Sequence, residues 1–348
     1  MRFYRPHSEF YCGVDLHTRK MYPCLINRQG DILVHRNMQN REDLFLAAVA
    51  AYRENLVVVA ESTSNWYWLA DLCAREMIEF VLGHALYMKA IHGSKTKNDR
   101  IDSEKIARLT AAGVLPQAYV YPRHHRSLRD LMRRRLKLVR QQAELQAHIR
   151  GMEAQQNFTD LGLNPKSARD RKNYGKAFED PSVRCSIEAD LQLIEHYQSL
   201  IRGLERHIDS TANEIYRKER IILESIPGVG RIISLTLLLE IDQIQRFPRR
   251  QQFCSYARLV YPRGESAGKQ YGTQGRKHGN PYLKWAFSEA AVHASRNCEY
   301  IGRYKQKLER KYGAGKGKSI LAHKLGRAVY YMLLRRRLFD LNTFLRSS

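Results

Sequence analysis

No two cysteines of this chain have the C-x-x-C spacing: Cys12, Cys24, Cys73, Cys185, Cys254 and Cys298 are scattered. That argues against a zinc ribbon or a disulfide framework and fits a reducing compartment. No apolar run approaches the roughly 18–20 residues needed to span a bilayer. None follows Met1-Arg2-Phe3-Tyr4-Arg5-Pro6 either, so neither a membrane span nor a signal peptide is expected, and the protein should be cytosolic. No internal repeat is present. Carboxylates are few beside the cations: 35 Asp and Glu face 59 Lys and Arg, a net charge of +24 over 348 residues.

So large a surplus repels itself unless a polyanion shares the surface, and phosphate backbones are the usual polyanion. A ribosome-associated or merely basic protein would satisfy the same charge. The hydrophobic share of 43% supports a genuine core, and the length allows two or three domains.

Residues 8–122 read as an α/β domain. Short apolar strands are expected at 11–16, 21–26 and 32–35, with a turn at Arg28-Gln29-Gly30-Asp31. A helix over 41–54, a β-branched strand at 56–60, a helix at 65–75, a strand at 78–82 and a helix at 99–112 follow. The order β-β-β-α-β-α-β-α is the layout of a ribonuclease-H-like fold. Residues 123–222 lose the strand signal and predict two long helices, a coiled-coil hairpin, separated by a polar loop or insertion over 157–184. Residues 223–340 predict a third, mostly helical region, so the fold class is α/β plus α.

Four carboxylates stand out. Asp15 lies inside the first strand, Glu61 closes the buried strand Val57-Val58-Val59-Ala60, and Asp99 and Asp102 open a helix on one face. A carboxylate in an apolar strand is costly unless something compensates it, and a hard divalent cation is one such compensation. Four converging carboxylates suit a pair of magnesium or manganese ions and phosphoryl transfer. Taken singly, Asp99 equally suits a helix N-terminus.

The ordered set Gly13-Val14-Asp15, Ala60-Glu61-Ser62-Thr63 and Lys97-Asn98-Asp99-Arg100-Ile101-Asp102 resembles the DEDD tetrad of a RuvC-like domain. Such a domain opens the IS110 family transposases and the related Piv-type DNA invertases. The basic helical middle, then Ser225-Ile226-Pro227-Gly228-Val229-Gly230 and Phe253–Pro262, resemble the rest of that family, so the likeness spans residues 10–335.

The resemblance implies that a C-terminal serine attacks DNA beside the metal-bearing DEDD site. The matching stretch is Pro262-Arg263-Gly264-Glu265-Ser266-Ala267-Gly268, one residue shorter between proline and serine than the family pattern. The nucleophile carries over to Ser266, with Ser255 and Ser234 as the other candidates. It further implies donor and target DNA, an element-encoded bridge RNA, a dimer or tetramer, and a prokaryotic, nucleoid-associated setting. A water-activating, metal-dependent nuclease and a non-catalytic nucleic-acid-binding protein remain open beside it.

Other residues suggest contacts with nucleic acid. Arg126, Arg129 and Arg133 share one helical face, which suits either a phosphate contact or a solvated charged face. Arg263, Lys269, Arg276 and Lys277 surround Ser266 in a Gly-rich segment and could neutralise a scissile phosphate. Gly228 and Gly230, in a helix–turn–helix corner resembling a helix-hairpin-helix, could let a phosphate approach the backbone and the next helix N-terminus; an ordinary capped corner is the plainer reading. Gly264-Glu265-Ser266-Ala267-Gly268 also matches the hydrolase nucleophile elbow, but no helix is expected after the serine. Gly313–Ser319 lacks the full phosphate-loop spacing, so a basic glycine loop on a phosphate backbone is expected rather than an ATP site.

Overall fold

The computed structural model describes residues 2–62, 65–91, 98–158, 161–260, 264–266, 269–271 and 278–346. It divides into two compact units, Met1–Arg123 and His124–Ser348.

The first unit is built on a mixed sheet. β1 (Phe10–Leu16), β2 (Lys20–Asn27) and β3 (Ile32–His35) form an antiparallel meander, with two-residue β4 (Met38–Gln39) also on β2. Gly30, at φ +90, closes the β2–β3 turn, and the Asn27 amide donates to Asp31 across it. After α1 (Glu42–Val49), β5 (Leu56–Glu61) pairs parallel to β1. After α2 (Tyr67–Arg75), β6 (Glu79–Gly83) pairs parallel to β5. The order is β3-β2-β1-β5-β6, and α3 (Ala85–Ile91) and α4 (Asp99–Ala111) complete the unit. The expected strand–helix order is present. The helix expected over 41–54 stops at Val49 and tightens into a 3-10 turn over Ala50–Asn55, and α3 had no counterpart among the expected elements.

Both faces of the sheet are covered, which is why its central strands read as nearly continuous apolar runs. Cys12, Val14, Leu16, Val58 and Ala60 face Phe45 and Val49 of α1 and Leu69, Leu72 and Cys73 of α2. Tyr11, Val57 and Val59, the alternate residues, face Ile106, Ala107 and Leu109 of α4. Gly13 belongs to the second set. A Cβ there would lie 2.3 Å from the Ser103 carbonyl oxygen and 2.4 Å from the Ala107 nitrogen. α4 therefore rests directly on the backbone of β1.

The second unit is helical apart from a two-stranded hairpin. α5 (Arg123–Gln155) and α7 (Pro181–Glu224) run antiparallel: Arg135 pairs Glu205, the Gln142 amide donates to the Ile194 carbonyl, and His148 meets Asp190. Ile187, Leu191, Ile194, Ile201 and Ile208 repeat on a heptad spacing and form the buried seam. The region expected as a polar insertion contains a short helix, α6 (Ala168–Tyr174). Tyr174 and Phe178 bury themselves on Ile149, Ile187 and Leu191, and the Asp180 side chain caps α7 at Ser182 and Val183. α7 breaks helical geometry at Tyr216, where the phenol meets His125 Nδ1; His125 Nε2 donates to the Leu239 carbonyl at 2.7 Å.

The remaining chain forms α8 (Arg231–Ile241), α9 (Arg250–Tyr256), the strands β7 (Gly264–Ser266) and β8 (Lys269–Tyr271), and α10 (Pro281–Asn297). Then follow α11 (Glu299–Tyr312), α12 (Ala314–Arg335) and α13 (Leu341–Arg346). Leu128 and Met132 of α5 and Ile208 and Leu223 of α7 join the core built by α8, α10 and α12. The long helices and the C-terminal helices thus share one core. Among the described residues, no helix is long and apolar enough to cross a membrane.

Candidate functional site

β1 ends where the close seat of α4 matters most. Because α4 lies against Gly13, its first turn stands over the C-terminal end of β1. Asp99 in that turn, Asp15 on β1 and His17 just beyond β1 bring one ligand atom each to within 4.8 Å of one another. His17 Nε2 lies 3.3 Å from Asp15 Oδ2 and 3.1 Å from Asp99 Oδ2. Asp15 is the sheltered member, with 18% of its side chain exposed against 52% for Asp99.

Neutral groups hold this arrangement in place. The His17 carbonyl accepts from the Asn40 and Asn65 amides, each at 2.7 Å, and the His17 N–H donates to the Lys20 carbonyl. The Asn98 side chain caps α4 by accepting from the Arg100 N–H. From β3, His35 Nε2 donates to the Arg100 carbonyl at 3.0 Å, tying the first turn of α4 to the sheet. Asp99 and Asp102 both lie in the first turn of α4.

Glu61 ends β5. Val14 pairs with Ala60 in the parallel register, so Asp15 and Glu61 come next on adjacent strands. Strand alternation puts both on the α4 side of the sheet. Asp102 is half-buried one turn along α4 from Asp99, with Lys105 at 3.8 Å. Glu61 and Asp102 flank the group formed by Asp15, His17 and Asp99 without being members of it. A carboxylate-rich set with one imidazole suits a hard divalent cation, manganese as readily as magnesium.

In the second unit, Arg126, Arg129 and Arg133 do share one face of α5, but the face turns inward. Arg126 is 4% exposed. Arg129 and Arg133 reach Glu240 of α8: Arg133 Nε and Nη2 donate at 2.6 and 2.9 Å and Arg129 Nε at 3.0 Å, while the Asn280 amide adds a fourth bond at 2.7 Å. Burial pushes the Glu240 carboxyl up, yet the Arg133 hydrogen bonds, the two guanidinium charges and Asn280 outweigh it and hold it below its ordinary value. The expected nucleic-acid contact by these arginines is corrected: Arg126 is buried, Arg129 and Arg133 neutralise a buried carboxylate, and Arg133 also covers the Tyr282 ring at 4.4 Å.

Gly228 has a packing role: at φ +78 its missing Cβ would lie 2.5 Å from the His293 backbone of α10. Gly230 is exposed at the N-cap of α8, with nothing within 4 Å of its Cβ position. Ser234 is fully buried, its one hydroxyl hydrogen shared between the Arg231 carbonyl and the Glu224 carboxylate. Ser255 is exposed near the end of α9.

Ser266 is the last residue of β7 and pairs with Lys269 of β8 in the antiparallel hairpin. A strand rather than a helix follows it, which disposes of the hydrolase elbow. Arg263, Arg276 and Lys277 lie outside the described residues. The glycine-rich Ala314–Ser319 run is the start of α12 rather than a loop.

Two contributors to the acidic site escaped the sequence reading, His17 and Gly13. Both left a signal. Gly13 interrupts an apolar strand, where a glycine marks a close backbone approach. His17 lies two residues past the strand carboxylate, one alternation further along the chain.

Comparisons with known proteins converge on one kind of chain. A family model for the transposases with a DEDD motif of the IS110 kind matches residues 12–154. A second, described as "Transposase IS116/IS110/IS902 family", matches residues 221–306. The curated transposase for insertion sequence element IS1111A of Coxiella burnetii is 20% identical over 94% of this chain and 90% of its own length. The first match contains the acidic site and the second runs from the end of α7 into α11, and both point to one kind of enzyme: the chain belongs to the IS110 family and is a DNA transposase of an insertion sequence.

Proposed function

We propose that the first unit is a ribonuclease-H-like, RuvC-like catalytic domain, in which Asp15, Glu61, Asp99 and Asp102, with His17 beside them, hold magnesium or manganese. The convergence of Asp15, His17 and Asp99 at the end of β1 carries this reading. Its support is chemical: an acidic strand residue, an acidic helix turn and an imidazole meet at one point, on a turn held by neutral amides. A bound divalent ion supplies Lewis-acid stabilisation of negative charge on the scissile phosphate.

In the same reading Ser266 is the nucleophile. Its Oγ bonds to phosphorus, its proton passes to a base, and the 3′ oxygen of the cut strand leaves with the electrons of the broken bond. The strand stays joined to the protein through a phosphodiester, so no bond energy is lost to water before rejoining. A serine hydroxyl is a weak nucleophile and needs this activation and positioning. Lys269, across the hairpin from Ser266, and Arg263, Arg276 and Lys277 nearby in sequence would neutralise the phosphate, while Gly230 leaves the α8 N-terminus open to a second one. An element-encoded bridge RNA would select donor and target, and a dimer or tetramer would bring two duplexes together.

The test is a covalent-adduct assay. Purified protein, co-expressed with the noncoding flanks of its element, is mixed with labelled donor and target DNA plus magnesium and run under denaturing conditions. A labelled protein band that vanishes in Ser266→Ala and weakens in Asp15→Asn is expected. Cleavage without any adduct would instead establish a nuclease that uses activated water.

A further inference from the structure

α12 stands apart from every other long helix of the second unit in its charge. Over 22 residues it has five Lys and Arg and no Asp or Glu. Neighbouring helices mix the two signs: Arg135 meets Glu205 on α5 and α7, Arg220 meets Asp209 and Glu224 along α7, and Arg303 and Lys305 meet Glu299 and Glu309 on α11.

Lys316, His323, Arg327, Tyr331 and Arg335 follow one another at spacings of seven, four, four and four, which keeps them on one side of the helix. Lys316 and Arg335 are exposed and the three between them half-buried. Arg250 of α9 extends the row: its Nη1 donates to the Tyr331 hydroxyl at 3.3 Å, and its guanidinium lies 6.0 Å from the ring. The Arg335 guanidinium lies 4.9 Å from the same ring. An aromatic face organises both guanidiniums without cancelling their charge. Burial and the charges of Arg327 and Arg250 hold the His323 imidazole below its usual value, as expected where like charges crowd.

Concentrating one sign in this way costs folding free energy through self-repulsion, which a bound polyanion relieves. The row from Lys316 to Arg335 is about 28 Å long at 1.5 Å per residue. It matches the axial rise of about eight base pairs of duplex, with a phosphate on each strand every 3.4 Å or so. We propose that the face formed by Lys316, His323, Arg327, Tyr331 and Arg335 of α12 with Arg250 of α9 binds the phosphate backbone of duplex DNA. Such contacts fix position and orientation and read no sequence. The inference rests on the DNA chemistry of the family and is independent of the catalytic groups proposed above.

The test measures affinity of the full chain for a short fluorescent duplex by anisotropy across a salt series. Lys316→Gln/Arg327→Gln/Arg335→Gln should lower the slope of log affinity against log salt by about 2–3, at about 0.9 per lost phosphate contact. Lys316→Gln/Arg335→Gln changes only exposed residues and should lower it by about 2, which keeps the test decisive if the triple variant melts early. Lys137→Gln/Arg150→Gln/Lys218→Gln, exposed cations on α5 and α7, should leave the slope unchanged. An unchanged slope in the α12 variants, or an equal fall in the control, would overturn the proposal. So would a loss confined to a single-stranded RNA probe, which would assign the face to RNA. Asp15→Asn should bind duplex with the wild-type slope, so failure of the metal reading and failure of this one give different results.

Discussion

Gly13 of β1 and Ser103 of α4 are in backbone contact, close enough that a Cβ on the glycine would sit 2.3 Å from the serine carbonyl oxygen. That approach positions the first turn of α4, and with it Asp99, over Asp15 and His17. Gly13→Ala must push the helix away from the sheet. Overpacking of this kind costs about 1–3 kcal/mol. The expected result is a lowered melting temperature together with weakened manganese binding. A variant that melts earlier yet binds manganese like wild type would separate the helix seat from the site.

Asn40 and Asn65 both donate to the His17 carbonyl, so the imidazole is presented by a fixed turn. His17→Ala leaves that backbone frame intact and removes only the ring. It should weaken manganese binding about 10–100-fold, the usual effect of disturbing a metal's supporting groups. Thermal unfolding should change little, because the His17 side chain is half exposed. Unchanged manganese affinity would make His17 a bystander between two carboxylates.

Glu240 is the buried acceptor for Arg129, Arg133 and Asn280, and its removal takes away the carboxylate that both guanidiniums share. Glu240→Gln should destabilise the second unit by about 3–5 kcal/mol in urea unfolding, the cost of breaking a buried pair. Arg133→Ala should likewise lower stability while leaving the salt dependence of DNA binding unchanged. A change in salt slope without a change in stability would return Arg133 to the nucleic-acid surface.

The same carboxylate makes stability depend on pH. Its folded value is held below its unfolded one, so its contribution is fully present above the unfolded value of about 4.3 and disappears as pH falls through the folded value. Urea midpoints should therefore fall with pH below about 4.3, more steeply in wild type than in Glu240→Gln. Parallel pH profiles would show that Glu240 carries no net proton linkage.

Much of the first unit was legible because its signals are local. Strand runs such as Leu56–Glu61 and the turn at Gly30 are set by their own residues, and the sheet orders them as the strand–helix pattern suggests. The acidic residues were legible for a different reason: Asp15 is expensive in an apolar strand, which draws the eye. His17 was not, because an exposed histidine after a strand has no such cost until α4 is placed beside it. The arginines of α5 show the converse failure. Helical spacing correctly put Arg126, Arg129 and Arg133 on one face, but spacing cannot tell an inward face from an outward one. Glu240, more than a hundred residues away in an apolar helix, decided it. The packing of Gly228 was hidden in the same way, since the α10 backbone that meets its missing side chain is more than sixty residues away.

The central claim is that β1 and α4 build a divalent-cation site, and calorimetric titration of the full chain with manganese tests it most directly. The account predicts saturable binding to wild type, weakened at least about 10-fold in both Asp15→Asn and Asp99→Asn, with melting temperatures close to wild type. Wild-type protein that takes up no manganese saturably, or variants that bind it equally well, would contradict the account.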